Sequence, residues 1–170
     1  MIGKGVVGDL RAQNRGFFFD EYNGIEFELS VYKYFDPTLK EVSPLGDKNV
    51  PLIRYADVLL TFAEAQNRAD GSDVMAYQAI NAVRERSGLA PLEGLNQQVF
   101  EEAVWRERAW ELTAEGKVWF DMKRTRKAYN GNGFEDFVGF ALPNGKVIKE
   151  ENLYFLIPQS EIDVYPKLAD

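Results

Sequence analysis

Residues 51–68 read Pro-Leu-Ile-Arg-Tyr-Ala-Asp-Val-Leu-Leu-Thr-Phe-Ala-Glu-Ala-Gln-Asn-Arg, and their spacing decides the fold class. Pro51 suits the first turn of a helix, where the backbone N–H would have no partner anyway. At about 100° per residue, Leu52, Ala56, Leu59, Leu60 and Ala63 share one face, which Tyr55, Val58 and Phe62 widen. Asp57, Thr61, Glu64 and Arg68 leave only a narrow polar stripe. That pattern predicts a helix buried on most sides.

Working outward, Asp70-Gly71 closes this helix, and Ser72 or Asp73 is placed to cap the next. Ala76, Ala79, Ile80 and Val83 form the inner face of a second helix ending near Ser87, with Gly88 and Pro91 as its stop. Residues 52–88 therefore predict an antiparallel helical hairpin of tetratricopeptide-like length. A third helix begins at the N-cap Asn96 and runs to about Ala114. Gly116 interrupts it, and a fourth spans 117–127. The fold class is mostly α.

The flanks read differently. Gly3, Gly5, Gly8, Gly16 and Gly24, with the run Phe17-Phe18-Phe19, predict loop with exposed aromatics. Phe27, Leu29 and Val31 alternate with Glu28 and Ser30, as a short strand does. Pro37, Pro44, Gly46 and Asp47 mark a long connection. Residues 129–133 are turn-rich, and 137–140 with 146–148 flank Pro143-Asn144-Gly145 as a small β-hairpin. Residues 152–157 are extended, and 160–163 form a final capped helical turn. The chain divides into loop and strand over 1–48, a helical body over 49–128, and a hairpin with an extended tail over 129–170, read together as a single domain.

Composition excludes several function classes. The net charge is −7, with Asp and Glu outnumbering Lys and Arg 27 to 20. Nucleic-acid binding by phosphate neutralisation needs a basic face, so that partner is not expected. The chain has no Cys and no His. Disulfides, thiolate chemistry, Cys/His zinc sites and the Ser-His-Asp triad are all excluded. No cofactor is expected. No stretch approaches the roughly 20 apolar residues of a membrane helix. The first residues, Met1-Ile2-Gly3-Lys4-Gly5, lack the apolar run of a signal peptide. The chain is then either cytoplasmic or a fragment separated from its export signal.

The third helix carries carboxylates on its apolar side. With Phe100 at 0°, Ala103 falls at about −60° and Val104 at about +40°, while Glu107, Glu111 and Glu115 fall at about −20°, +20° and +60°. A buried, unpaired carboxylate costs several kcal/mol, so these acids must find cations. Arg108 is adjacent, and Arg54, Arg84, Arg86 and Arg124 are candidates from neighbouring helices. Arg binds a carboxylate through two parallel hydrogen bonds. The preferred reading is a structural ion-pair network of Glu107, Arg108, Glu111, Glu115, Arg54 and Arg84. Two alternatives stand beside it: a glycosidase-like acid pair, Glu107 with Glu111, and a metal held by acids at i and i+4, which lacks the usual His partners.

Segments of the chain resemble the SusD/RagB family. They are 49–60 with Ala63-Glu64-Ala65, 79–89 (Ala-Ile-Asn-Ala-Val-Arg-Glu-Arg-Ser-Gly-Leu), 107–116 followed by 119–124 (Trp-Phe-Asp-Met-Lys-Arg), and 153–158 with Glu161-Ile162. Their order and spacing carry the resemblance over 49–168. Residues 1–48 match less clearly, although Tyr32-Lys33-Tyr34-Phe35 is similar to an aromatic-lysine strand in the family. Lys117 departs from the usual Arg or His, and Tyr165-Pro166 replaces Asn-Pro.

The resemblance implies a surface lipoprotein of the bacterial outer membrane. It implies binding of a glycan or other nutrient without catalysis, and pairing with a TonB-dependent, SusC-like barrel transporter. It implies a mainly helical, tetratricopeptide-like scaffold anchored through an N-terminal lipidated Cys. This chain has no Cys and family members are much longer, so the resemblance favours a C-terminal fragment without its anchor. A helical-repeat scaffold that binds protein is the alternative. Sugar rings stack on aromatic faces. Tyr22, Trp105 and the 129–140 loop are the candidate ligand contacts, and Trp110 and Trp119 are read as packing residues.

Overall fold

The computed structural model describes residues 8–36 and 49–169. The long connection expected around Pro37 to Asp47 lies outside them. The chain is mostly helical and folds as two compact units, one within residues 1–121 and one within 122–170.

In the first unit, α1 (Tyr55–Asp70), α2 (Val74–Arg86) and α3 (Gln97–Glu111) form the helical body. Local chemistry sets their ends. Gly71, at φ 85°, donates its N–H to Asn67 O at 3.0 Å. The Asp73 carboxylate accepts the Ala76 N–H at 2.8 Å, and the Asn96 amide oxygen accepts Val99 N–H at 2.9 Å. The Asp73 and Asn96 caps each satisfy a donor that the first helical turn leaves orphaned, and Gly71 satisfies a carbonyl of the last turn. The third helix stops at Glu111, three residues before the expected end, and Ala114 takes φ 62° in the turn that follows.

The core is one cluster: Ala56, Leu60 and Ala63 from α1; Ala76, Ala79, Ile80 and Val83 from α2; Phe100, Ala103 and Val104 from α3. Alanines at the α1–α2 contact let the backbones approach. The volume they leave is filled by Phe100, with Tyr77 edge-on at 4.8 Å.

The opening stretch departs from expectation in two ways. α1 starts at Tyr55, not near Pro51, because Arg54 keeps an extended backbone (φ −114°, ψ 154°) while its side chain is committed to α3. Leu52 is left 83% exposed. α1 is also not buried on most sides. Tyr55 (74%), Val58 and Phe62 face solvent, whereas the polar residue Glu64 is buried and Asp57 half-buried. Half of the supposed outer stripe turns inward beside the Ala56-Leu60-Ala63 face, since Asp57 pairs with Arg108 and Glu64 accepts from Trp105, while Thr61 and Arg68 stay exposed. Among the described residues, no further helix covers the Tyr55–Phe62 face.

The N-terminal stretch is not plain loop. β1 (Phe18–Tyr22) pairs antiparallel with β2 (Ile25–Val31), from Tyr22↔Ile25 to Phe18↔Val31, with an irregularity between Phe19 and Glu21. The turn is Asn23-Gly24, both at positive φ (54° and 81°), the dipeptide that a tight hairpin favours. Phe19 is not exposed: it is buried against Phe27, Tyr32 and Phe35 at 4.9–5.1 Å between ring centroids. Tyr32–Tyr34 is a 3-10 turn rather than a strand.

The boundary between the units falls inside α4 (Val118–Thr125). In the second unit β3 (Lys127–Tyr129) pairs with β4 (Phe134–Asp136) across the turn-rich residues. Asn130 Oδ1 closes that turn by accepting the N–H groups of Asn132 and Gly133 at 2.8 and 2.9 Å. The expected 137–148 hairpin is a loop with a single bridge, Ala141↔Val147, and a few rungs such as Gly139 N–H to Ile148 O at 2.8 Å. Ala128, Phe137, Ile148 and Leu153 are buried. Tyr154, Phe155 and Leu156 are exposed ahead of α5 (Gln159–Val164), whose N-cap is Pro158 with no side-chain cap.

Candidate functional site

The acidic side of α3 and the turn after it form the most charged buried place in the first unit. Phe100 and Val104 seat α3 in the core, so the next turns of the same face carry Glu107 and Glu111 inward. Glu111 is fully buried and Glu107 nearly so.

Each carboxylate meets cations. Glu107 receives Arg84 Nη1 at 3.0 Å and Arg11 Nη1 at 2.7 Å. Glu111 receives Arg54 Nη1 at 2.8 Å, Arg86 Nη2 at 2.5 Å and Arg11 Nη1 at 3.2 Å. Glu115 receives Arg54 Nη2 and Lys33 Nζ, both at 2.6 Å. Arg11 is itself buried, and Asp9 grips its other edge through Nε and Nη2 at 2.9 Å each.

Of the residues read from sequence, Arg54 and Arg84 reach the acidic line, and so does Arg86. Arg108 does not. Its position on α3 turns it towards α1, where it binds Asp57 Oδ1 at 2.9 Å, Thr61 Oγ1 at 2.9 Å and Asp121 Oδ2 at 2.8 Å, a second network that Lys117 joins through Asp57. Arg124 lies in the second unit. Sequence reasoning missed Asp9, Arg11 and Lys33. Only the family-like Tyr32-Lys33-Tyr34-Phe35 segment hinted at one of them.

The electrostatics follow the geometry. Burial pushes the Glu111 carboxyl up, but the bonds from Arg86 and Arg54 outweigh it and hold Glu111 below the ordinary Glu range. Burial likewise opposes the charge on Arg54, yet Glu115 and Glu111 raise its pKa overall. For Lys33 burial wins, and its pKa is lowered despite the Glu115 bond. A carboxylate held ionised by guanidinium groups is a poor proton donor, which argues against a glycosidase-type acid at Glu111. Among the described residues, no group of three or more acidic side chains is placed to hold a metal ion.

The ligand candidates sit elsewhere. Tyr22 is half-buried, its ring between Phe35 at 4.7 Å and the Arg15 guanidinium at 5.4 Å. Trp105 is half-buried and donates its indole N–H to Glu64 Oε1 at 3.1 Å. Neither lines either of two open grooves among the described residues. An open groove of about 750 Å³ runs along α2, lined by Tyr77, Gln78, Asn81, Glu85, Leu92 and Glu93 among others. A second, about 400 Å³, lies between Leu52, Ile53, Tyr34, Glu115 and Phe120.

The sequence model of the SusD family matches residues 21–170. The chain belongs to the SusD family. This SusD-family chain is 37% identical to SusD-like protein P38 of Formosa agariphila over 113 residues, 61% of its own length and 22% of that relative. It is 33% identical to SusD-like protein P2 of the same organism over 158 residues, 79% of its length and 31% of the relative. The chain thus matches about a third or less of either curated relative. A solved SusD superfamily protein from Parabacteroides distasonis superposes with a TM-score of 0.86 at 36% identity, over 94% of this chain and 38% of that one. No helix among the described residues is long and apolar enough to cross a membrane.

Proposed function

We propose that this chain is part of a surface-exposed outer-membrane lipoprotein. It binds a nutrient, a glycan in the first instance, for import by a TonB-dependent, SusC-like transporter, and it performs no chemistry on it. Membership of the SusD family supports the role. The observation that carries the choice of binding over catalysis is the state of the buried acids. Glu111 is enclosed by Arg11, Arg54 and Arg86, which hold its proton off rather than making it available. Tyr22 and Trp105 are the first aromatic positions to test as sugar platforms.

A glycan array probed with the full-length protein tests this reading. Binding to a defined saccharide class, weakened by Tyr22→Ala or Trp105→Ala in variants that keep wild-type circular dichroism, supports it. Failure to retain any saccharide, together with co-purification of the transporter, favours the second reading, a helical scaffold that binds protein. The exposed Tyr55, Val58 and Phe62 face of α1 is what keeps that alternative in play.

A further inference from the structure

We propose that residues 8–36 are a latch: a hairpin module packed on itself and fastened to the end of α3 through Lys33 and Arg11, which releases while α1–α3 stay folded.

The module has its own small core. Phe19 packs on Phe27, Tyr32 and Phe35, and Tyr22 on Phe35. β2 is exposed from Ile25 to Ser30, and among the described residues no layer clamps it from above. The bonds joining the module to the helical body are polar. Leu10 N–H donates to Ser87 O at 3.0 Å, and Tyr34 Oη donates to Ala114 O at 2.9 Å. Lys33 Nζ donates to Glu111 O at 2.6 Å, Thr113 O at 3.0 Å and Glu115 Oε1 at 2.6 Å. It thus caps the carbonyl end of α3, the end that favours a cation. Arg11 adds its bonds to Glu107 and Glu111.

What makes the latch separable is redundancy on the other side. Every acid that the module touches keeps a cation borne by the helical body. Glu107 keeps Arg84, Glu111 keeps Arg54 and Arg86, and Glu115 keeps Arg54. The Glu111 carbonyl also keeps Arg54 Nη2 at 2.9 Å. Release therefore strands no buried carboxylate, the outcome that would otherwise couple the module to global unfolding. It also bares the line of acids and arginines to solvent.

Hydrogen exchange on the chain and on Lys33→Met, which keeps an apolar stem and loses three donated bonds, tests this. A two-stranded hairpin is only marginally stable once released, so the β1 and β2 amides are expected to exchange about ten- to hundredfold faster, the factor set by losing a charged hydrogen bond, with α1–α3 amides unchanged. Arg84→Met, which removes a body-borne cation from Glu107, provides the contrast and should quicken α2 and α3. The proposal is overturned if Lys33→Met speeds helix and hairpin amides alike, unfolds the chain, or leaves the hairpin amides at their wild-type rates.

Discussion

Arg54 reaches from the residue before α1 to the fully buried carboxylate of Glu111, 2.8 Å from Nη1 to Oε1, and its other nitrogens hold Glu115. One guanidinium thus ties the start of the first helix to the end of the third. It also explains why Arg54 stays extended and α1 begins only at Tyr55.

Glu111→Gln should destabilise the chain by roughly 3–5 kcal/mol, the usual cost of breaking a buried pair from one side. Arg11, Arg54 and Arg86 would then face a neutral amide. Urea denaturation with the slope held common to both proteins measures the loss. A change below about 1 kcal/mol would mean that the pair behaves as a surface one.

The same residue sets an acid limit. The folded Glu111 pKa lies below its unfolded value, so the folded state binds fewer protons and stability rises with pH across that window. The contribution is complete above the ordinary Glu value, about 4.3, and disappears as pH falls through the depressed folded value. Melting temperatures of wild type and Glu111→Gln should therefore converge on acidification. A gap that stays constant from neutral pH into acid contradicts the assignment.

Phe100→Ala should cost about 3–5 kcal/mol, from lost burial and the cavity left among Leu60, Ile80 and Val104. Calorimetry would register it as a large drop in melting temperature.

Gly88→Ala tests the seat of the N-terminal segment. Gly88 has φ 75°, and an added Cβ would lie 3.0 Å from the Leu10 side chain and 3.1 Å from Gly8 O. Backbone strain of about 1 kcal/mol or more is expected, with faster exchange at the Leu10 amide, which bonds Ser87 O. Unchanged stability and exchange would show that Leu10 is not seated there.

Asn96→Ala should cost about 1 kcal/mol, because the Val99 N–H loses its only side-chain cap. The loss should be regained in large part by Asn96→Asp, as chemical denaturation would show.

Period and punctuation in the amino-acid order were enough for the three main helices. Apolar residues recur at helical spacing, and Asp73, Asn96, Gly71 and Gly88 stand where caps and stops belong. The inward line Glu107-Glu111-Glu115 was legible for the same reason, since helical geometry is local. The second strand of the Asn23-Gly24 hairpin was legible from the alternation of Phe27, Leu29 and Val31, but its partner was missed because Phe18-Phe19-Asp20-Glu21-Tyr22 shows no period-two alternation. Two matters depended on chain segments meeting in space. Which cations serve the acids could not be read locally: Arg11 lies 96 positions from Glu107 and Lys33 82 from Glu115, and no spacing rule links them. The Ala56-Leu60-Ala63 side of α1 was legible as the inner one, but how far burial extends around the helix was likewise decided by its neighbours. Its residues are apolar nearly all round, so the packing of α2 and α3, with Arg108 drawing Asp57 inward, set the width of the buried face and left Tyr55 and Phe62 in water.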